Sequence, residues 1–292
     1  MKPLYIQQTT IPEQYINDCF DSFLNEDQAH RDLSTQFSTD KQTRVFASFI
    51  AEEPLIFTGE PILRTIFKKF DIYAMAAEGQ ACIAGDVLAT IKAPANTLLS
   101  YERVLLNLIQ RLSGIAFLTS QYVHKLNSSE IKILDTRKTT PGIRLFEKYA
   151  VNVGGGYNHR LNLYEGIMLK DNHLSLIDDL EKVIFNIRNQ HPNKKIQIEV
   201  DYFNQLKEHL KPHFPIDAIL LDNMDREQTI ECVQYIKENW PLCFIESSGG
   251  INLKNIHNYI DTGIHAISIG ALTHQAASKN IKLEFSSELL KK

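Results

Sequence analysis

Six short apolar runs punctuate the second half of the chain, at 131–134, 167–169, 196–200, 218–221, 244–246 and 266–269. Longer amphipathic segments, 174–189, 225–240 and 252–262, separate several of them. Short strands alternating with helices predict parallel βαβ units. A polar or glycine group follows or closes every run: Asp135-Thr136-Arg137-Lys138, Lys170-Asp171, Glu199-Val200-Asp201, Asp222-Asn223, Ser247-Ser248-Gly249-Gly250 and Gly270. In a parallel α/β barrel the C-terminal strand ends share one face, so these six groups would converge on one pocket. Six strands is fewer than the common barrel holds.

The first half has another rhythm. Segment 11–23 has helical spacing, with Pro12 early enough to begin a helix, and 26–35 is polar and loop-like. Strand patterns at 43–50 and 55–58 precede a short amphipathic helix at 61–70. Two turn signals, Glu78-Gly79 and Ala84-Gly85-Asp86, divide 72–91 into short apolar runs, which suggests a small sandwich-like β element. A long helix is expected over 100–118, with Ser100 as N-cap. That start would put Arg103 in the first turns, unfavourable to the helix dipole. The expected division is an N-terminal α+β domain over 1–115 and a barrel over 116–275, with the tail 276–292 able to pack back on the first.

Positive charge is concentrated where the chain as a whole is acidic. Against a formal net charge of -4, residues 136–164 hold Arg137, Lys138, Arg144, Lys148 and Arg160 with Glu147 as the sole carboxylate. His159 adds a ring that donates two hydrogen bonds when charged. Such a cluster is tolerated when it binds an anion, and arginine offers forked donors to carboxylate or phosphate. Gly154, Gly155 and Gly156 would let the backbone turn sharply or approach a ligand. Glu199 and Asp222 place carboxylates at two strand ends, which suits Mg²⁺ completed by substrate oxygens; structural salt bridges to the lysines fit equally well. Alternation puts Asp201 on the same face as Glu199, so either could be the contact. Small residues at the late strand ends, Ser248, Gly249 and Gly270, can offer backbone N–H groups to a phosphate.

Several classes lack support. The slight acidity gives no reason to expect nucleic-acid or anionic-membrane binding. Cys19, Cys82, Cys232 and Cys243 are scattered, without CxxC or zinc spacing, and read as reduced apolar residues. The first residues contain no apolar signal core and no run reaches spanning length, so a cytoplasmic protein is the default. The three glycines lack GxGxxG spacing, and there is no Walker lysine, HExxH or GxSxG.

The motif series DTRKTTPGIR, EKYAV, GGGxNHR and LKDNH resembles the quinolinate phosphoribosyltransferases. The likeness extends upstream over 102–116 and downstream through LLDNM, ESSGGI and GALTH to His274. It implies an incomplete parallel α/β barrel with an N-terminal α+β sandwich-like domain. It also implies phosphoribosyl transfer from phosphoribosyl pyrophosphate to quinolinate with decarboxylation, in a homodimer or larger assembly. By the same resemblance Arg137, His159 and Arg160 hold the quinolinate carboxylates, joined by Arg103 from the neighbouring subunit. Lys138 and Lys170 lie between the ring acid and the pyrophosphate. Glu199 and Asp222 hold Mg²⁺, directly or through water, and contact the ribose; Ser248, Gly249 and Gly270 hold the 5′-phosphate. Lys138, Lys170, Glu199 and Asp222 are the expected catalytic set. Two departures stand out: Arg31 replaces a usual glycine, and Glu165 stands where aspartate is usual. A molybdenum-transport-associated relative shares much of the pattern but generally lacks LKDNH, whereas Lys170, Asp171, Asn172 and His173 are all present. A non-enzymatic barrel that binds anionic metabolites is the reading from another class.

Overall fold

The computed structural model describes residues 2–40, 43–286 and 288. Helix α1 (Glu13–Glu26) begins after Pro12, whose φ of -59° is already helical. The following stretch is not a plain loop. Asp32 accepts from Thr35 N at 3.0 Å and caps a short helix, α2 (Leu33–Ser38), a contact that contributes about 1 kcal/mol. Strands β1 (Arg44–Ala51) and β2 (Leu55–Ile56) lead to helix α3 (Glu60–Ile66), then to β3 (Asp71–Met75), β4 (Ala81–Cys82) and β5 (Val87–Pro94). The long helix α4 (Ala95–Leu126) starts directly after Pro94, five residues ahead of Ser100. Ser100 is therefore no N-cap; its hydroxyl donates to Asp32 Oδ2 at 3.3 Å. Arg103 lies inside the helix, so the dipole argument does not apply to it.

The second half follows the apolar runs closely: β6 (Lys132–Leu134), helix α5 (Arg144–Val153), then β7 (Gly166–Leu169) and a single turn, α6 (Asp171–Leu174). Helix α7 (Leu180–Gln190) opens at Asp179, which accepts from Lys182 N at 3.0 Å, so the helix expected from 174 starts later. Next come β8 (Lys195–Val200), α8 (Phe203–His209), β9 (Ala218–Asp222), α9 (Arg226–Asn239), β10 (Phe244–Ser248), β11 (Ala266–Ser268), α10 (Ala271–His274) and β12 (Ile281–Ser286). Where a helix was expected over 252–262, only a 3₁₀ turn forms, at Ile256–Tyr259.

These elements form two compact units, each of which the chain enters more than once. The α+β unit comprises Gln8–Thr119, Thr140–Gly155 and the chain from Gln275 onward. Its main sheet has the antiparallel order β12-β1-β5-β3, beside a two-stranded β2-β4 ladder. Strand β12 pairs with β1 from Phe46↔Ser286 to Ala51↔Ile281, so this part of the tail completes the sheet. Tail residues 287 and 289–292 lie outside the described residues. Phe49, Phe57, Leu63, Phe67 and Leu112 are fully buried in this unit.

The barrel unit comprises the chain through Gln7, Ser120–Thr139 and Gly156–His274. Among the described residues its sheet has six strands, all parallel, in the order β6-β11-β10-β9-β8-β7. The barrel is open between β6 and β7. Beside β6, Tyr157 makes an isolated parallel bridge to Leu134. Leu134, Ala218, Phe244 and Ala266 form a buried layer with Leu4 and Tyr157 packed against it. Side chains alternate along each strand, so residues two apart share the barrel interior.

Candidate active site

The C-terminal ends of the parallel strands enclose a cavity of about 360 Å³. It is lined by Arg137, Lys138, His159, Arg160, Lys170, Glu199, Asp222 and Ser248, joined by Thr136, Met168, Leu220, Glu246 and Ser268. Register explains the convergence. Glu199 lies opposite Leu220, which lies opposite Glu246, and one layer higher Asp222 pairs with Ser248 and Ser248 with Ser268. Met168 pairs with Gln197, which brings Lys170 abreast of Glu199. Lys170 Nζ donates to Glu199 Oε2 at 2.5 Å.

The basic run divides between the two units. Arg137, Lys138 and Arg160 face the cavity, whereas Arg144 and Lys148 belong to α5 in the α+β unit. There Glu147, fully buried, accepts from Arg111 Nε and Nη2 at 3.1 and 2.9 Å and from Thr140 N and Oγ1 at 2.9 Å each. The first glycine of the triplet serves packing: a Cβ on Gly154 would stand 2.4 Å from Ala116 O. Arg103 also belongs to the α+β unit, where it lines a separate cavity of about 460 Å³ with Phe23, Asn107, Arg111 and Ile143.

Asp135, fully buried at the end of β6, binds the two halves of the motif together. Its Oδ1 accepts from His159 N at 2.8 Å and its Oδ2 from Asn158 Nδ2 at 2.7 Å. Arg160 is 6% exposed, and its Nη1 donates to Gly166 O at 2.8 Å. Burial pulls its guanidinium below the usual value and the charge of Arg137 adds to this, while Tyr5 and Glu199 oppose it. Arg137 Nε is buried without a partner, a donor whose desolvation an anionic ligand would repay.

The carboxylates are tuned in the opposite sense. Burial pushes Glu199 up, Lys170 works against this, and Asp222 and Asp201 add repulsion. Asp222 is likewise raised by burial, with Lys170 and Lys138 opposing and Asp201 and Asp171 reinforcing. Two carboxylates raised this way favour a bound cation. No cluster of three or more His, Cys, Asp or Glu suited to a metal occurs among the described residues. Mg²⁺ does not require one, since one or two carboxylates with substrate oxygens and waters suffice, so this donor set fits. The salt-bridge alternative is also realised, in Lys170–Glu199. Asp201 follows the end of β8 at Val200 and is exposed; its N–H donates to Gln205 Oε1 at 2.6 Å, and its charge acts on both Glu199 and Asp222.

The glycine strand ends flank the cavity. Gly249 adopts a φ of +85°, and a Cβ there would meet Asn223 Oδ1 at 2.2 Å. Gly270 packs against Lys138, whose Cδ a Cβ would approach to 2.9 Å. Sequence reasoning missed Glu246 and, beneath the cavity, Gln197. The signal was present, because each lies two residues before an expected site residue, Ser248 and Glu199. Burial works to raise Glu246, but the neighbouring His159 ring and hydrogen bonds from His159, Ser268 and Gln197 carry it below the usual carboxylate range.

Fold and site together define an open α/β barrel with a cation-lined, carboxylate-rimmed pocket for an anionic substrate. Comparison with known proteins narrows the class. Family models for the N-terminal and C-terminal domains of quinolinate phosphoribosyl transferase match residues 32–113 and 115–284. The chain belongs to the quinolinate phosphoribosyl transferase family. It is 38% identical over 267 residues to the probable nicotinate-nucleotide pyrophosphorylase (carboxylating) of Bacillus subtilis, with 90% of each chain covered. The corresponding Synechocystis protein is 36% identical, again over 90% of each. The structure of NadC from Streptococcus pyogenes superposes with a TM-score of 0.88 at 35% identity, covering 95% of this chain and 99% of that one. Human nicotinic acid phosphoribosyltransferase, at 10% identity and a TM-score of 0.59, shares the fold alone.

Proposed function

We propose that the chain transfers phosphoribose from phosphoribosyl pyrophosphate to quinolinate with decarboxylation, yielding nicotinate mononucleotide, CO₂ and pyrophosphate. The observation that carries this reading is the meeting of Arg137, Lys138, Arg160 and Lys170 with Glu199 and Asp222 in one cavity. Quinolinate carries two adjacent carboxylates, and Arg137 and Arg160 supply forked donors for them. Arg103, exposed on α4, completes the clamp from a second copy of the chain in a homodimer or larger assembly. Lys138 and Lys170 neutralise charge on the departing pyrophosphate. Ser248, Gly249 and Gly270 hold the 5′-phosphate.

The clamp sets the pyridine nitrogen toward the anomeric carbon. The nitrogen's lone pair forms the new bond as the carbon–pyrophosphate bond breaks through an oxocarbenium-like centre. The quaternised ring then accepts the electron pair left when the adjacent carboxylate departs as CO₂, and a proton replaces it. Positioning and electrostatic stabilisation supply the rate, without a covalent enzyme intermediate. Glu199 and Asp222 would hold Mg²⁺, which when bound offsets the charge of the pyrophosphate oxygens.

Among the described residues no helix is long and apolar enough to cross a membrane. Cytoplasmic action is proposed, in keeping with four cysteines that are all free thiols. Titration calorimetry with quinolinate and nicotinate tests the dicarboxylate clamp. Loss of one charge-assisted carboxylate contact weakens nicotinate by about 10- to 150-fold; equal affinities would contradict the clamp.

A further inference from the structure

Lys138 lies in the turn after β6 and is exposed, so its flexible stem would ordinarily wander over many rotamers. Contacts within the barrel unit restrict it. Its backbone N–H donates to Thr136 Oγ1 at 3.0 Å. Its backbone carbonyl accepts from Thr273 Oγ1 at 2.7 Å, across 135 positions of sequence. Its side chain crosses Gly270, where an added Cβ would come within 2.9 Å of Lys138 Cδ. Thr136, Lys138, Gly270 and Thr273 all belong to the barrel unit.

The Thr273 hydroxyl has two carbonyls in reach, the second being Gly270 O at 3.1 Å. That carbonyl already receives two backbone N–H groups, from Thr273 at 3.1 Å and His274 at 3.3 Å, which engage both of its lone pairs. A hydroxyl carries one hydrogen, so the shorter contact takes it and the donor is committed to Lys138 O. Thr273 is fully buried, and its hydroxyl must find this partner within the protein.

One turn therefore serves two ends of a substrate. Gly270 stands between β11 and α10, and Thr273 lies within α10. On the quinolinate reading, on which this inference rests, Gly270 receives the 5′-phosphate of phosphoribosyl pyrophosphate and Lys138 meets its pyrophosphate. The turn that takes the first group also carries the hydroxyl that fixes the lysine for the second. We propose that Thr273 is a positioning residue: through Lys138 O it sets where the Lys138 ammonium meets the pyrophosphate. Thr136 holds the adjoining N–H, and the bare Cα of Gly270 leaves room for the stem. Thr273 acts through Lys138 and does not itself donate to substrate.

Titration calorimetry with inorganic pyrophosphate and Mg²⁺, and separately with quinolinate, tests this. The samples are the native protein, Thr273→Val, Thr273→Ser, Lys138→Met and the Thr273→Val/Lys138→Met double variant. Thr273→Val keeps the volume and loses the donor; pyrophosphate should bind about three- to tenfold more weakly and quinolinate with native affinity. Thr273→Ser keeps the hydroxyl and should restore pyrophosphate affinity. On the Lys138→Met background the valine should add nothing, because no ammonium remains to be misplaced. Where the valine is not accommodated, Thr273→Ala makes the same comparison. Native pyrophosphate affinity in Thr273→Val, an equal loss for quinolinate, or a full further loss in the double variant would overturn the proposal, as would a native protein that does not bind pyrophosphate. A native protein that binds pyrophosphate yet forms no product from quinolinate would refute the quinolinate reading instead, while the same cycle of affinities would still decide the positioning.

Discussion

Replacing Lys170 with methionine keeps the length of the side chain and removes its charge. Lys170 Nζ lies 2.5 Å from Glu199 Oε2, with side-chain exposures of 43% and 9%. A charge-assisted hydrogen bond is worth about 1.5–3 kcal/mol, and the exposure of Lys170 puts this pair near the lower end. That energy is lost from the free enzyme as stability; the lost neutralisation of the departing pyrophosphate is what raises the barrier, by about 2–4 kcal/mol, or roughly 30- to 1000-fold in kcat/KM. A pH signature accompanies the loss. Burial already raises Glu199 and Asp222, and Lys170 opposes this in both. Without it both carboxyls rise further, so the acid limb of the rate profile moves to higher pH. Initial rates from pH 5 to 9 with each substrate varied would show both effects. A variant within about threefold of the parent in kcat/KM, with an unmoved acid limb, would refute the reasoning.

Arg160→Lys keeps the charge but loses the fork, and should raise the quinolinate KM about 10- to 150-fold in steady-state assays. Glu147→Gln strips the charge that Arg111 meets inside the α+β unit; chemical denaturation should show a loss of about 3–5 kcal/mol. Gly154→Ala drives a methyl toward Ala116 O and should cost about 1–3 kcal/mol, read as a lowered Tm. Burial raises Asp217, but hydrogen bonds from Arg188 and Lys195 outweigh it and leave the carboxyl below its usual range. The unfolded chain therefore binds the proton first. The stability Asp217 contributes is complete above the unfolded pKa of about 3.9 and fades as pH falls through the lower folded value. Urea midpoints of Asp217→Asn should lack that part of the acid slope.

The six parallel strands were legible because each is a short apolar run ended by charge or glycine, and strand period then carried Arg137, Lys170, Glu199, Asp222 and Ser248 to one cavity. What escaped the sequence depends on contacts distant along the chain. Helix α4 begins at Ala95 because Pro94 closes a strand, and nothing local marks Ser100 as an interior position. Arg144 and Lys148 look like part of the anion site until α5 carries them into the α+β unit. Gly154 looks like a ligand loop, yet its missing Cβ makes room for α4. Tyr5 offers no signal at all, since its partner Gln197 lies 192 residues away.

The central claim is tested most directly by incubating the protein with quinolinate, phosphoribosyl pyrophosphate and Mg²⁺ while following nicotinate mononucleotide and CO₂ together. Equal yields of the two products from quinolinate, with little nucleotide when nicotinate replaces it, are the predicted result. A folded sample that forms neither product, or that uses nicotinate equally well, would contradict the account.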